Sequence, residues 1–171
     1  SNFTFFLEPI IYTFILTKLS YPSSEILYKY SEVTAYSLPL ITLFSFISIS
    51  ISTVIMPKIS TSNTHQIKKY ISKLITICLI PSFLLTTILF HYCDEISFLL
   101  YNSQMGVSLI KKYVWFFIIF YFIAPFNTIL QSTNQSNKVF ILSLIVHIIK
   151  LILLFLLPFI TDDALIISYL I

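Results

Sequence analysis

Five long apolar runs divide this chain, at 1–19, 33–57, 73–93, 113–133 and 139–160, and a sixth begins at 164–171. A helix rises about 1.5 Å per residue and the hydrocarbon core of a bilayer is about 30 Å thick, so roughly 20 apolar residues make one crossing. The runs therefore predict an all-α, polytopic transmembrane helix bundle with five full spans plus the start of a sixth. Function has to be sought in what such a bundle can enclose and in the polar groups it tolerates.

Hydrophobic residues make up 57% of the chain and charged residues 10%, too little charge for a water-soluble domain. The ten basic residues are all lysines, spread between the runs rather than clustered, so no nucleic-acid partner is expected. Cys78 and Cys93 share one run; in a helix they stand about 22 Å apart and cannot bridge, so they are read as small apolar fillers. No CxxC, Cys/His cluster, HExxH, GxSxG or Walker loop occurs, which predicts no metal, no cofactor and no catalytic residue. Asp94-Glu95 and Asp162-Asp163 are adjacent pairs whose side chains diverge, and they read as solvated turn residues.

If each run crosses once, the first, third and fifth connectors share one side of the membrane and the second and fourth the other. The latter pair, with their flanks, hold Lys58, Lys68, Lys69, Lys73 and Lys138 and no acid, whereas Glu25, Glu32, Asp94, Glu95, Asp162 and Asp163 lie opposite. The lysine bias puts the second and fourth connectors in the cytoplasm, although Lys18, Lys29, Lys111 and Lys112 fall on the outer side. Within 64–74, Ile67, Tyr70, Ile71 and Leu74 line one helix face and Lys68, Lys69 and Lys73 the other, as in an interfacial amphipathic helix capped by Asn63 or Thr64. Ser45–Ser52 alternates like a strand, but a membrane strand needs a closed barrel. As a helix, the segment sets Ser45, Ser48 and Ser52 in a small-residue stripe. Ser1 opens directly on an apolar run and 164–171 is too short to span, so the sequence is read as a piece of a longer polytopic protein.

Ile55-Met56-Pro57-Lys58-Ile59-Ser60, followed by a basic amphipathic stretch and a span carrying Ile80-Pro81, resembles the "VPxIS" region of the stage V sporulation protein B group. That group belongs to the multidrug/oligosaccharidyl-lipid/polysaccharide (MOP) exporter superfamily. Asn127 to Lys138 resembles the group's "ILQGxGK" turn, His147-Ile148-Ile149-Lys150 its span with a mid-membrane lysine, and Leu7-Glu8-Pro9 the acidic position opening its second lobe. The turn departs from the family pattern: the chain's single glycine is Gly106, and serines and asparagines occupy the turn, where asparagine also tolerates positive φ. The resemblance implies that residues 1–171 are a partial C-terminal lobe of a MATE/MOP-type transporter, spans seven to eleven and the start of twelve. In that family two lobes face each other across a central cavity that opens to either side in turn. It further implies a multi-pass protein of the bacterial cytoplasmic membrane, working with membrane lipid, a missing N-terminal lobe and a lipid-linked oligosaccharide or cell-wall precursor. Two rivals stand beside this flippase: a multidrug or cation antiporter of the same fold, and a non-transporting membrane scaffold.

Glu8 and Lys150 lie well inside their runs, and a charge near the bilayer centre costs about 2.5–3.5 kcal/mol even on the lenient scale. They either line a cavity, where Lys150 attracts a phosphate-bearing headgroup, or form an ion pair that fixes helix packing. His147, three residues before Lys150, shares its helix face, and Asn127 and Gln131 share a face of the preceding span; these too are candidate cavity residues. Pro39, Pro81 and Pro125 lie inside spans and are candidate hinges. Trp115, Tyr92, Tyr101 and Tyr113 sit near span ends, as an aromatic belt does.

Overall fold

The computed structural model describes residues 2–43 and 45–170, and positions 1 and 171, the outer limits of the first and last runs, lie outside the described residues. Every regular element among the described residues is helical: α1 Asn2–Lys18, α2 Ser23–Ser31, α3 Leu38–Thr42, α4 Ser45–Ser60, α5 Thr64–Tyr101, α6 Val107–Tyr113, α7 Phe120–Ser132, α8 Ser136–Leu156 and α9 Ala164–Tyr169. A π-helical stretch, Glu32–Ser37, links α2 to α3, and 3-10 turns at Phe116–Ile119 and Leu157–Phe159 flank α7 and α8. The alternating serines form a helix, with Ser48 and Ser52 buried.

The span count differs from that expected. Two helical segments, Gln66–Tyr101 and Ser136–Phe159, are long and apolar enough to cross a membrane, and up to four if each of two bent pairs is one span. The run 33–57 bends by 49° between Ser23–Thr42 and Ser45–Ser60, and the run 113–133 by 70° between Val107–Tyr113 and Phe116–Ser132. α1, with 17 described residues, reaches about 25 Å, at the lower limit for one crossing. The stretch 64–74 is no separate element but the first three turns of α5, a single 38-residue helix, and Asn63 makes no side-chain cap.

The prolines do not mark the sharpest breaks. Pro39 lies within the continuous helical stretch Ser23–Thr42, directly after its π-helical turn and ahead of the 49° bend. Inside α5 the residue with non-helical dihedrals is Tyr92, not Pro81. Pro125 is buried within α7, beyond the bend that precedes that helix.

Two apolar clusters hold the bundle. The larger gathers Tyr12, Leu16, Ile26, Val33, Leu89, Ile110, Phe117 and Leu165 where α1, α2, α5, α6 and α9 meet. The smaller joins Ile55 and Ile59 of α4 to Leu74 and Cys78 of α5, with Ile129 of α7 packed against them. α5 buries Leu74, Cys78, Ser82, Thr86, Leu89, Cys93 and Ser97, a stripe of helical period whose small members let neighbouring helices approach. Both cysteines are free and buried, as fillers.

Ion pairs draw the first, third and fifth connectors to one end. Lys29 Nζ lies 2.8 Å from Asp162, Lys111 Nζ 2.5 Å from Asp94, and Lys112 pairs with Asp163. The hydroxyls of Tyr21 and Tyr113 donate to Asp162 and Asp163, at 3.0 and 2.9 Å. Asp94, Asp162 and Asp163 are thus ion-pair partners rather than free turn residues, and Tyr113 is buried rather than facing a lipid belt. Trp115 rests against Phe83 and Phe90, and Tyr92 is exposed. Among the described residues, no ion pair involves Lys58, Lys68, Lys69, Lys73 or Lys138. Lysine without an ion pair is therefore concentrated at the end assigned to the cytoplasm; among the described residues Lys18 is the exception at the other end, its ammonium lying 4.7 Å from the Phe14 ring centroid.

Candidate functional site

Glu8 of α1 faces α8 and α9, where burial leaves its carboxylate only protein partners. Its Oε2 accepts from Lys150 Nζ at 2.6 Å and its Oε1 from the Tyr169 hydroxyl. Glu8 is 1% exposed and the Lys150 side chain 11%. Two buried opposite charges at this distance recover much of their desolvation cost, and the Tyr169 bond occupies the second carboxylate oxygen. The ammonium also lies 3.2 Å from the centroid of the Tyr169 ring and 5.5 Å from that of Phe5, whose faces favour a cation.

The pair is not sealed on every side. Lys150, Tyr169 and Phe5 form part of the wall of a cleft of about 660 Å³, completed by Tyr30 and Thr34 on one flank and Phe120 on the other. Glu8 does not line this cleft; it stands behind Lys150 and holds it. The two readings of the pair therefore merge: Lys150 both pairs and lines, whereas Glu8 only pairs.

A second cleft, of about 780 Å³, opens between α1, the end of α7 and α8. Gln131 and His147 line it, with Thr4, Ser136 and Ser143. His147 Nδ1 lies 2.5 Å from the Ser143 carbonyl oxygen, which can only accept, so Nδ1 carries a proton and Nε2 remains for a ligand. His147 and Lys150 open onto different clefts despite their three-residue spacing, and α1 contributes Thr4 to one and Phe5 to the other. Asn127 is half-buried on α7 and lines neither cleft.

Sequence reasoning passed over Tyr169, Phe5, Tyr30 and Thr34. The only signal for Tyr169 was a hydroxyl within an apolar run, and tyrosine is common enough near membrane surfaces for that to be weak.

The MatE family model matches residues 1–160. Stage V sporulation protein B of Bacillus subtilis (strain 168) is 31% identical over 160 residues, 91% of this chain and 31% of that relative, so the chain spans less than a third of the relative's length. No solved structure matches.

Proposed function

The chain belongs to the MatE family of the MOP exporter superfamily, and from that premise we propose that it is most of the second lobe of a lipid flippase. Its cargo is a lipid-linked oligosaccharide or cell-wall precursor carried across the bacterial cytoplasmic membrane by alternating access, together with an N-terminal lobe. The observation that carries this reading is Lys150, a cation held on a cleft wall by a carboxylate behind it. Such an ammonium has already lost most of its water and is fixed in place, so an entering phosphate gains a charge-assisted hydrogen bond without ordering a flexible side chain. Glu8 balances the charge when the cleft is empty. Gln131 and His147 in the second cleft suit sugar hydroxyls, which need donors and acceptors together.

A second reading, a cation antiporter of the same fold, is favoured by the aromatic lining of the Lys150 cleft, where Phe5, Tyr30, Phe120 and Tyr169 converge. One experiment separates the two. In the full-length protein reconstituted into vesicles, Lys150→Met alone strands the Glu8 carboxylate and costs about 3–5 kcal/mol of stability. Adding Glu8→Gln removes the stranded charge and restores most of it. The flippase reading expects this double variant to be stable yet to flip a lipid-linked oligosaccharide at least about tenfold more slowly, the worth of one charge-assisted bond. A double variant that flips at the wild-type rate would overturn it, and loss of gradient-driven organic-cation efflux in Glu8→Gln would establish the antiporter.

A further inference from the structure

At the lysine-rich end, a third cleft of about 410 Å³ lies between α4 and α5, lined by residues of neither cleft already described. Its apolar walls are Ile51, Val54 and Ile55 from α4 and Ile77 from α5, and its charged groups are Lys58 and Lys73. Sequence position gives the depth of each. Lys58 immediately follows the apolar run 33–57 and Lys73 is the first residue of the run 73–93, so both ammonium groups stand where hydrocarbon gives way to water. Val54 lies four residues before Lys58 and Ile77 four residues after Lys73, each about 6 Å deeper along its helix. Tyr70 joins the same lining one turn to the water side of Lys73, at the level where tyrosine rings meet headgroups. The cleft is thus cationic at its mouth and apolar below it.

Nothing within reach along the sequence neutralises that mouth. No carboxylate occurs between Glu32 and Asp94. Among the described residues neither Lys58 nor Lys73 takes part in an ion pair, whereas Lys29, Lys111 and Lys112 at the opposite end each meet an aspartate. Both lysines are exposed. A ligand that satisfies this site carries negative charge at headgroup depth and a flexible apolar chain beneath it. A zwitterionic lipid offers no net charge for two ammonium groups, and a soluble anion leaves the apolar floor uncovered.

We propose that this cleft is a binding site for an anionic membrane phospholipid, with the phosphate on Lys58 and Lys73 and an acyl chain over Ile51, Val54 and Ile77. The site is independent of the cargo reading, because it uses neither Lys150 nor the residues around it.

The test uses the full-length protein in neutral detergent, titrated with dioleoylphosphatidylglycerol or dioleoylphosphatidylcholine, with bound lipid counted by native mass spectrometry. Each lysine near a membrane surface contributes roughly fivefold to binding an anionic lipid, so the wild type should retain phosphatidylglycerol about thirtyfold more tightly than phosphatidylcholine. Lys58→Ala with Lys73→Ala should abolish most of that preference, and Lys68→Ala with Lys69→Ala, outside the cleft, should leave it intact. Val54→Trp, which fills the apolar floor and keeps both lysines, should lower phosphatidylglycerol retention and so tests the cleft should the lysine variant fail to fold. Equal retention of the two lipids by the wild type, or an equal loss in both lysine double variants, would overturn the proposal. So would undiminished retention in Val54→Trp, or displacement of phosphatidylglycerol by inorganic phosphate alone, which would mark a soluble-anion site.

Discussion

Gly106 is the single glycine of the chain, and it occurs where the backbone leaves room for nothing larger. Its φ is +83°, and a Cβ there would meet Ser37 Oγ at 2.5 Å and the Glu32 carbonyl oxygen at 3.0 Å. The loop that carries it lies on the π-helical stretch, where the Ser37 hydroxyl donates to the Glu32 carbonyl at 2.7 Å and reaches the Gly106 carbonyl at 3.2 Å. Gly106→Ala should therefore cost about 1–3 kcal/mol, read as a lowered melting temperature of the full-length protein. Elsewhere other residues suffice: Asn134 takes φ 60° in the turn before α8, Asn102 φ 50° at the end of α5 and Ser20 φ 66° after α1. That use of asparagine in place of glycine at the α7–α8 turn was readable in the sequence. So were Glu8 and Lys150, since a charge in hydrocarbon requires a partner. Tyr169 was not, because a phenol in an apolar run imposes no comparable demand, and only the return of α9 onto α1 brings it to Glu8.

At the level of helices, apolar run length foretold where helix would form and missed where it would turn. The run 33–57 is as apolar at its bend as on either side, so composition carries no trace of that change in direction, whereas the second bend falls at the head of the run 113–133, just after Lys111 and Lys112. What supports the first bend is a distant residue. The buried Tyr121 hydroxyl of α7 donates at 2.8 Å to the carbonyl of Ile41, in the last turn of α3. Tyr121→Phe should leave the apolar packing intact and lower stability by about 1 kcal/mol, measured by thermal unfolding in detergent. The small polar residues behave differently. Ser52, Ser82 and Thr86 return their hydroxyl protons to the carbonyls of Ser48, Cys78 and Ser82, at 2.6, 2.6 and 2.7 Å. They satisfy themselves within their own helices and remain free to serve as close-packing surfaces, which their spacing in the sequence already suggested.

Across the whole molecule, charge is arranged by end. The hydrogen bonds from Lys29 and Tyr21 hold the Asp162 carboxyl below its ordinary value of 3.8. The hydrogen bond to Asp163 lifts the Lys112 ammonium above 10.5, and that to Asp94 does the same for Lys111. A depressed carboxyl contributes stability above its unfolded value and loses it as pH falls through the folded one. A raised ammonium contributes below 10.5 and loses its share as pH rises through the folded value. The melting temperature should therefore be level through neutrality, fall below about pH 3.8 and fall again above about pH 10.5. Asp162→Asn should lower the neutral plateau by less than about 1 kcal/mol, as the exposed Lys29 pair allows, and flatten the acid limb. A plateau and acid limb unchanged by that substitution would assign the linkage to other carboxylates. The alternation of sides was legible because lysines and acids sorted by connector; the pairing was not, since it joins residues 17, 51 and 133 positions apart, and only the folded bundle sets which lysine meets which aspartate.

One end of this helix bundle is drawn together by attraction between opposite charges, and the other carries like charges that repel. Electrolyte screens both within about 10 Å at 0.1 M, yet the two responses have opposite sense. Raising ionic strength slackens the attraction at one end and eases the repulsion at the other, so a single change of medium acts on the two ends in opposite directions.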